Sequence, residues 1–443
     1  MAGSVNKVIS FKGLALATLL STAISSSVCA DDGDVWVNQD RLENHILTLG
    51  EIGKDQTGAT SRLAYSEHDI KGRAYAMRLM NDAGLKITID EGGNIIGTRL
   101  GMDSSLKPIM TGSHIDTVPE GGNYDGIVGS LSAIEVAYVL NENNIMLDHT
   151  LKVVIFTNEE GGHVGSRAIS GRVTEGMLEL KSQMGLSHRE GIQKLGGKPE
   201  ALNKALYEKG DLFAFIELHV EQGGTLDKEN IDIGVVTGIV GIRRWLIDVI
   251  GEANHAGTTQ MASRRDALVT AAEYVLAVNK VALSLEGNHV ATVGRLAPEP
   301  DAINVVPGKV RTTLEIRDLS STKIQKVFDD IEKASLSIAI RNGTDIIFNE
   351  IQQNAKPALT NRAIQDEVKR AATELGLSFK YIPSGAGHDA QEFVPITPTS
   401  MIFVPSKGGL SHSGREFTSA IDMANGANVL LKTILAIDKF DHF

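Results

Sequence analysis

The sequence predicts an α/β protein in which a mostly parallel sheet, with helices on both faces, is interrupted by a smaller inserted α+β domain. Three observations predict it. Short, wholly apolar runs alternate with segments of helical period, the pattern of parallel strands covered on both faces. Over residues 241–349 the pattern changes to strands that alternate apolar and polar residues, as in a half-exposed antiparallel sheet. The chain has 443 residues, more than one ordinary core accommodates, so two domains are expected.

In chain order, Asn38-Gln39-Asp40 leads into Leu42, Ile46, Leu47 and Leu49 at helical spacing. Ala74, Ala76, Met77 and Met80 mark a second helix over Gly72–Ala83. Short β-like runs follow at Lys86–Asp90 and Asn94–Arg99, broken by Gly92-Gly93. Pro108–Thr111 reads as a strand, Gly129–Asn141 as a helix, and Leu151–Thr157 as a buried strand. Phe213–His219 and Ser400–Val404 read as further members of the same sheet. In the inserted segment, Arg244–Ile250 and Val310–Arg317 are strands and Arg264–Leu285 and Ser321–Asn342 are helices. The larger domain then comprises 31–240 and 350–443, and the inserted one 241–349.

Residues 1–30 stand apart. Lys7 and Lys12 precede an apolar stretch, Gly13–Ala23, and small residues ending Val28-Cys29-Ala30. This is the pattern of a secretory signal peptide cleaved after Ala30. The apolar part is shorter than the roughly 20 residues a spanning helix needs. An exported, periplasmic chain beginning at Asp31 is therefore expected, with no membrane attachment after cleavage; Ser26-Ser27-Val28 make a poor lipid-attachment site before Cys29. Cleavage also removes the only cysteine. The mature chain then has no disulfide, thiol nucleophile or thiolate ligand, so any metal must be held by His and carboxylate. A net charge of −12, with no basic run, argues against a nucleic-acid partner.

Functional groups in open α/β sheets gather beyond the carboxyl ends of the strands. Here each apolar strand runs into a potential metal ligand: His114 and Asp116, then Glu159-Glu160, then His219, then His412 beyond the Gly408-Gly409 turn. Asp125 lies in the Gly-rich loop Gly121–Gly126. Taken singly, each has an ordinary alternative. His114 could be a surface histidine beside an acid, Asp125 a turn aspartate and Glu159-Glu160 a solvated strand end. His219 could be a satisfied core histidine, and His412 a solvent residue. Their joint placement at strand ends favours one metal cluster, with Asp116 oriented to hold His114. Two divalent ions sharing a carboxylate can activate water and polarise a carbonyl. Three histidines and two carboxylates suit Zn²⁺, and Mn²⁺, Co²⁺ or Ni²⁺ are compatible. An unligated carboxylate is then needed as general base and acid, and Glu159 is the candidate.

The landmarks GSHIDTVPEGGNYDG (112–126), TNEEG (157–161), IELHVEQG (216–223), DIGVVTGIVG (232–241), GEANHAGTT (251–259), PGKVRTTLEIRD (307–318), SGAGHDA (384–390) and MIFVPSKGGLSHS (401–413) occur in this order. Over essentially the whole mature chain they resemble the hydantoinase/carbamoylase-type amidases. That group contains N-carbamoyl-L-amino-acid hydrolases and allantoate amidohydrolases and belongs to the aminoacylase- and carboxypeptidase-like di-metal hydrolases. The resemblance implies that His114, Asp125 and His219 hold one ion and Asp125, Glu160 and His412 the other, Asp125 bridging. It implies that Asp116 orients His114 and that Glu159 activates a metal-bridging hydroxide. Gln222, His255, Asn304, Arg317, Gly385 and Gly387 match substrate-contacting positions, Arg317 as a fork for a carboxylate and His255 as a donor to the oxyanion. The inserted domain would close over the site as a lid and form a homodimer interface.

Two departures stand out. Gly162–Ser166 replaces a longer segment with Arg-Phe, leaving open whether His163 adds a contact, and Gln260 stands where Pro is common. The expected activity is hydrolysis of the C–N bond of N-carbamoyl or allantoate-like ureido acids, a small-molecule carboxylate substrate. Hydrolysis of acyl or peptide amides by the same metals is the nearer alternative. A non-catalytic periplasmic binding protein is the more distant one, disfavoured because all five ligand positions and Glu159 are present.

Overall fold

Buried apolar runs leave their backbone groups to be paired by neighbouring strands, and here they form a nine-stranded sheet. This computed structural model describes residues 35–351 and 355–443; the segment read as a signal peptide lies outside the described residues. The sheet runs Lys86–Ile89, Ile95–Arg99, Leu151–Phe156, Ile109–His114, Ala214–Val220, Thr399–Val404, Ile233–Ile239, Ala358–Leu359, with Phe379–Ser384 also paired to Ile233–Ile239. Its centre is parallel: Ile109–His114 pairs with Leu151–Phe156 and Ala214–Val220, which pairs with Thr399–Val404. Both flanks carry antiparallel pairings. Every residue of Ile109–His114, Ala214–Val220 and Thr399–Val404 is buried, including the polar Thr111, Ser113 and Glu217, whose Oε1 accepts from Ser113 Oγ at 2.7 Å.

Strand alternation separates the two faces. Met110, Phe215, Met401 and Phe403 pack into one cluster with Ile169 and Phe393, from the short helices Val164–Ile169 and Ala390–Phe393. Residues of opposite parity meet the long helices. Gly129 in Ile127–Glu142 comes against the Leu218 carbonyl, and Gly426 in Ala420–Ile437 against Leu218 and Val404. The helix Gln39–Gly50 covers both of these, its Arg41 Nε bonding the buried Glu135 at 2.7 Å. Helices therefore lie on both faces.

The second sheet runs Leu296–Glu299, Lys309–Asp318, Gly241–Ile250, Asp345–Glu350, antiparallel throughout, with Val290–Thr292 also paired to Lys309–Asp318. Val310, Thr312, Leu314 and Ile316 face inward while their neighbours do not, as the alternation predicts. Helices Ala267–Ser284 and Ser321–Asn342 cover that inner face. Trp245 stacks on Phe328 at its core, with centroids 4.4 Å apart. The large sheet passes directly into the small one, strand Ile233–Ile239 preceding Gly241–Ile250.

Some elements differ from the sequence expectation. The second helix is Glu67–Asp82 and starts a turn early, because the Ser66 side chain accepts from Asp69 N and caps it. The helix expected at Arg264–Leu285 begins at Ala267, where Asp266 accepts from the amides of Leu268 and Val269. Strands Ile233–Ile239 and Phe379–Ser384 were not read from the sequence; glycines in the first and polar residues in the second dilute the apolar signal.

Candidate metal centre

Parallel pairing brings the strand ends together. His114 is the last residue of its strand and His219 lies one residue from the end of the next. Their rings sit 5.9 Å apart. Asp125 precedes Gly126, which adopts φ +69° and opens helix Ile127–Glu142. A Cβ on Gly126 would collide with the His114 ring, so this position needs glycine for both backbone and space. Glu159 and Glu160 follow Leu151–Phe156, and His412 follows the loop after Thr399–Val404. Asn158, His163, Gln222 and His412 all hold positive φ, between 52° and 58°. Left-handed backbone at non-glycine residues is costly and clusters at functional sites.

The donor atoms form two groups that share one carboxylate. His114, Asp125 and His219 have ligand atoms within 4.8 Å of one another, and so do Asp125, Glu160 and His412. Asp125 divides its oxygens between them. Oδ1 faces His219 Nε2 at 3.2 Å and His114 Nε2 at 3.7 Å, while Oδ2 faces His412 Nε2 at 3.3 Å. His412 Nε2 is 3.5 Å from Glu160 Oε2. His412 is half exposed, and the other four are shielded.

The charges fit a cation. Burial disfavours ionised Asp125, yet hydrogen bonds from His114, His219 and His412 outweigh it and hold the carboxyl well below the usual range. Burial, with Glu159 and Asp125 nearby, pushes Glu160 up to about 9. Three carboxylates crowd a nearly dry pocket, and divalent charge would relieve that crowding.

Asp116 lies beneath this cluster, but it holds His114 differently from the expectation. His114 Nδ1 contacts the Asp116 main-chain oxygen at 3.0 Å, whereas the carboxylate Oδ1 is 3.8 Å away. The carboxylate instead accepts from the amides of Glu159 at 3.3 Å and Glu160 at 3.2 Å, steering the Glu-Glu turn. Burial pushes Asp116 up to about 6. Glu159 points one oxygen, Oε2, toward His114 Nε2 at 3.8 Å, and it belongs to neither ligand group.

Of the expected substrate contacts, Gln222 reaches the cluster, donating from Nε2 to Asp125 Oδ2 at 2.7 Å. Its neighbour Glu221 accepts from the amides of Thr225 and Leu226 at the start of helix Thr225–Glu229. Arg317 donates from Nη1 to the Gly385 carbonyl at 2.8 Å and from Nε to Glu315 at 2.7 Å, so these two positions from different sheets meet. His255 and Asn304 are exposed on the inserted domain, where Asn254–His255 pairs with Val305–Val306. Among the described residues, no hydrogen bond or ion pair joins them to the ligand cluster.

The sequence reading missed three neighbours. Ser411 donates to Asp125 Oδ2 at 3.0 Å; its place beside His412 was the available signal. His388 packs edge-on to His219, centroids 4.4 Å apart, and burial holds its pKa well below the ordinary value. Glu416 is buried below the Asp125 loop and is pushed up to about 8, by burial and then by Asp125. His388 lies within the landmark SGAGHDA (384–390), whereas nothing local marks Glu416.

A mostly parallel sheet with two His/carboxylate groups sharing one aspartate at its carboxyl edge is an arrangement that could hold divalent metal in a hydrolase. Residues 110–436 match the family model Peptidase family M20/M25/M40, and the chain belongs to that family, within its hydantoinase/carbamoylase-type amidases. It is similar to the N-carbamoyl-L-amino acid amidohydrolase of Geobacillus stearothermophilus, 35% identical over 90% of this chain and 98% of the relative. The ureidoglycolate hydrolase of Arabidopsis thaliana is 36% identical over 89% of this chain and 85% of its own. Among solved structures, a hydantoinase/carbamoylase family amidase from Burkholderia multivorans superposes with a TM-score of 0.84, at 36% identity, over 91% and 98% of the two chains.

Proposed function

We propose that this amidohydrolase cleaves the C–N bond of N-carbamoyl amino acids or allantoate-like ureido acids, with Glu159 as general base and acid. The observation that carries the mechanism is the division of labour at Asp125 and Glu159. Asp125 turns one oxygen to each ligand group, while Glu159 stands beside both and joins neither. The similarity to carbamoyl and ureido hydrolases supports the substrate class.

His114, Asp125 and His219 would hold one divalent ion and Asp125, Glu160 and His412 a second, of Zn²⁺, Mn²⁺, Co²⁺ or Ni²⁺. Ions bound there would supply Lewis acidity, making water nucleophilic near neutral pH and polarising the scissile carbonyl. Glu159 Oε2 accepts the proton lost by the attacking water and returns it to the departing nitrogen. Asp116, through the amides of residues 159 and 160, keeps that carboxylate in place. Arg317, beside the Gly385–Gly387 loop, takes the substrate carboxylate through the guanidinium N–H groups not already given to Gly385 and Glu315. Water adds to the ureido carbon and the bond to the amino-acid nitrogen breaks. The products are an amino acid and carbamic acid, which decomposes to ammonia and carbon dioxide.

His255 and Asn304 would reach the substrate when the inserted domain closes or when a second subunit supplies them. A homodimer is supported by Val269, Leu276 and Leu283, exposed seven residues apart along helix Ala267–Ser284, with Ile340 exposed on the neighbouring helix. Export to the periplasm rests on the N-terminal sequence pattern alone.

The test is a substrate panel scored for ammonia, with each of the four metals supplied. N-carbamoyl-L-amino acids, allantoate and ureidoglycolate should release it. Turnover confined to N-acyl amino acids or dipeptides contradicts the substrate class. Glu159→Gln should keep metal and lose about 10²–10⁴-fold in kcat; near-normal turnover removes Glu159 as the base.

A further inference from the structure

We infer that His163 is a positioning residue for Glu159: it holds one oxygen of that carboxylate and leaves the other free for water. The inference rests on the role proposed above for Glu159. The shortened segment after Glu160 folds tightly back. The amides of Gly162 and His163 both donate to the Glu159 carbonyl at 2.9 Å, and that of Gly165 donates to Thr157 at 2.8 Å. His163, with φ +57°, is turned over Glu159 by this fold. Its Nε2 lies 3.3 Å from Glu159 Oε1, while Oε2 is the oxygen aimed at the His114 side.

The ring has close neighbours on two further sides, although its buried Nδ1 makes no hydrogen bond. On its far side Nδ1 faces Glu392 Oε1 at 3.7 Å. Glu392 is buried and anchored by Arg167 Nε at 3.0 Å and Arg172 Nη1 at 2.7 Å. Above it runs Gly387, where a Cβ would lie 3.0 Å from the His163 Cε1. The imidazole thus sits between two carboxylates and under the loop that Arg317 grips at Gly385. Burial opposes the charged ring, but Glu159 and Glu392 outweigh it and push its pKa up to about 10. A donor at Nε2 is therefore present near neutral pH. A side chain that only filled space would need neither the flanking carboxylates nor a ring nitrogen toward each.

Two measurements test this, one of them independent of any substrate. Ring ¹⁵N resonances of the Zn²⁺-loaded protein, with His163 identified by its loss in H163Q, should shift for His163 in E159Q. An unchanged His163 signal overturns the contact even if no substrate in the panel is turned over. With a substrate in hand, H163L should lower kcat about tenfold to hundredfold, since small displacements of catalytic groups cost that much. KM and metal content should stay near wild type. H163Q, whose side-chain amide can also donate, should restore most of the loss. Unchanged kcat in H163L, loss of metal, or no recovery in H163Q overturns the inference.

Discussion

At the scale of single residues, the centre depends on a few atoms that tolerate no substitute. Gly126 allows His114 and Asp125 to approach, and a methyl there would meet both the ring and a left-handed backbone. Gly126→Ala should cost about 1–3 kcal/mol in chelator-treated protein and should also weaken metal binding. Denaturant unfolding with and without chelator checks both; a neutral substitution would show that the loop relaxes freely. Protonation gives a second expectation. In the absence of ions, His412 is raised by its hydrogen bond to Asp125, and Glu160 by burial and its carboxylate neighbours. Both shifts are upward, so both groups carry protons at neutral pH that an incoming ion must displace. Metal binding should release protons, and apparent affinity should rise with pH until these groups lose their protons unaided. Calorimetry in two buffers of different ionisation enthalpy measures the release; none would contradict the shared-carboxylate geometry. The five residues that gather into the two His/carboxylate clusters were legible in the sequence because each follows or ends a buried strand or a glycine turn. The contacts of Glu392 with His163 and of Glu416 with the Asp125 loop were not. They join segments far apart in the chain, and no local pattern announces them.

At the scale of elements, wholly buried parallel strands dictate where the ligands emerge. Their largely apolar runs made Leu151–Phe156, Ala214–Val220 and Thr399–Val404 readable, and strict alternation did the same for Lys309–Asp318. Strands Ile233–Ile239 and Phe379–Ser384, which pair in parallel, escaped because two glycines in the first and polar residues in the second interrupt their apolar runs. The short helix Ala390–Phe393 escaped for a related reason: four residues carry too little period to be read. Phe393 of that helix stacks on Phe215 with centroids 4.1 Å apart and also meets Phe156. Phe393→Ala should therefore destabilise by about 3–5 kcal/mol. It should also loosen the Glu392 side of the site. Thermal unfolding measures the first effect; a loss under 1 kcal/mol would mean the cavity collapses.

At the scale of the whole molecule, the large sheet carries the clustered His and carboxylate residues, Arg317 lies on the five-stranded sheet, and His255 lies on a two-stranded ribbon that Asn304 adjoins. Arg317 alone reaches across, to Gly385; the other two remain exposed. Closure or pairing of subunits would complete such a site. Leu276 and Leu283, 70% and 80% exposed, would be the contacts for a second copy in the proposed dimer. Leu276→Asp with Leu283→Asp should convert a dimer to a monomer in sedimentation velocity while leaving bound metal unchanged. A wild-type protein that sediments as a monomer would contradict the dimer. The central claim is that one aspartate serves two ions. Metal analysis of three purified proteins tests it most directly. The account predicts about two ions per chain in the wild type, about one in His412→Ala, and essentially none in Asp125→Ala. Retention of a full ion by Asp125→Ala, or equal loss in both variants, would contradict it.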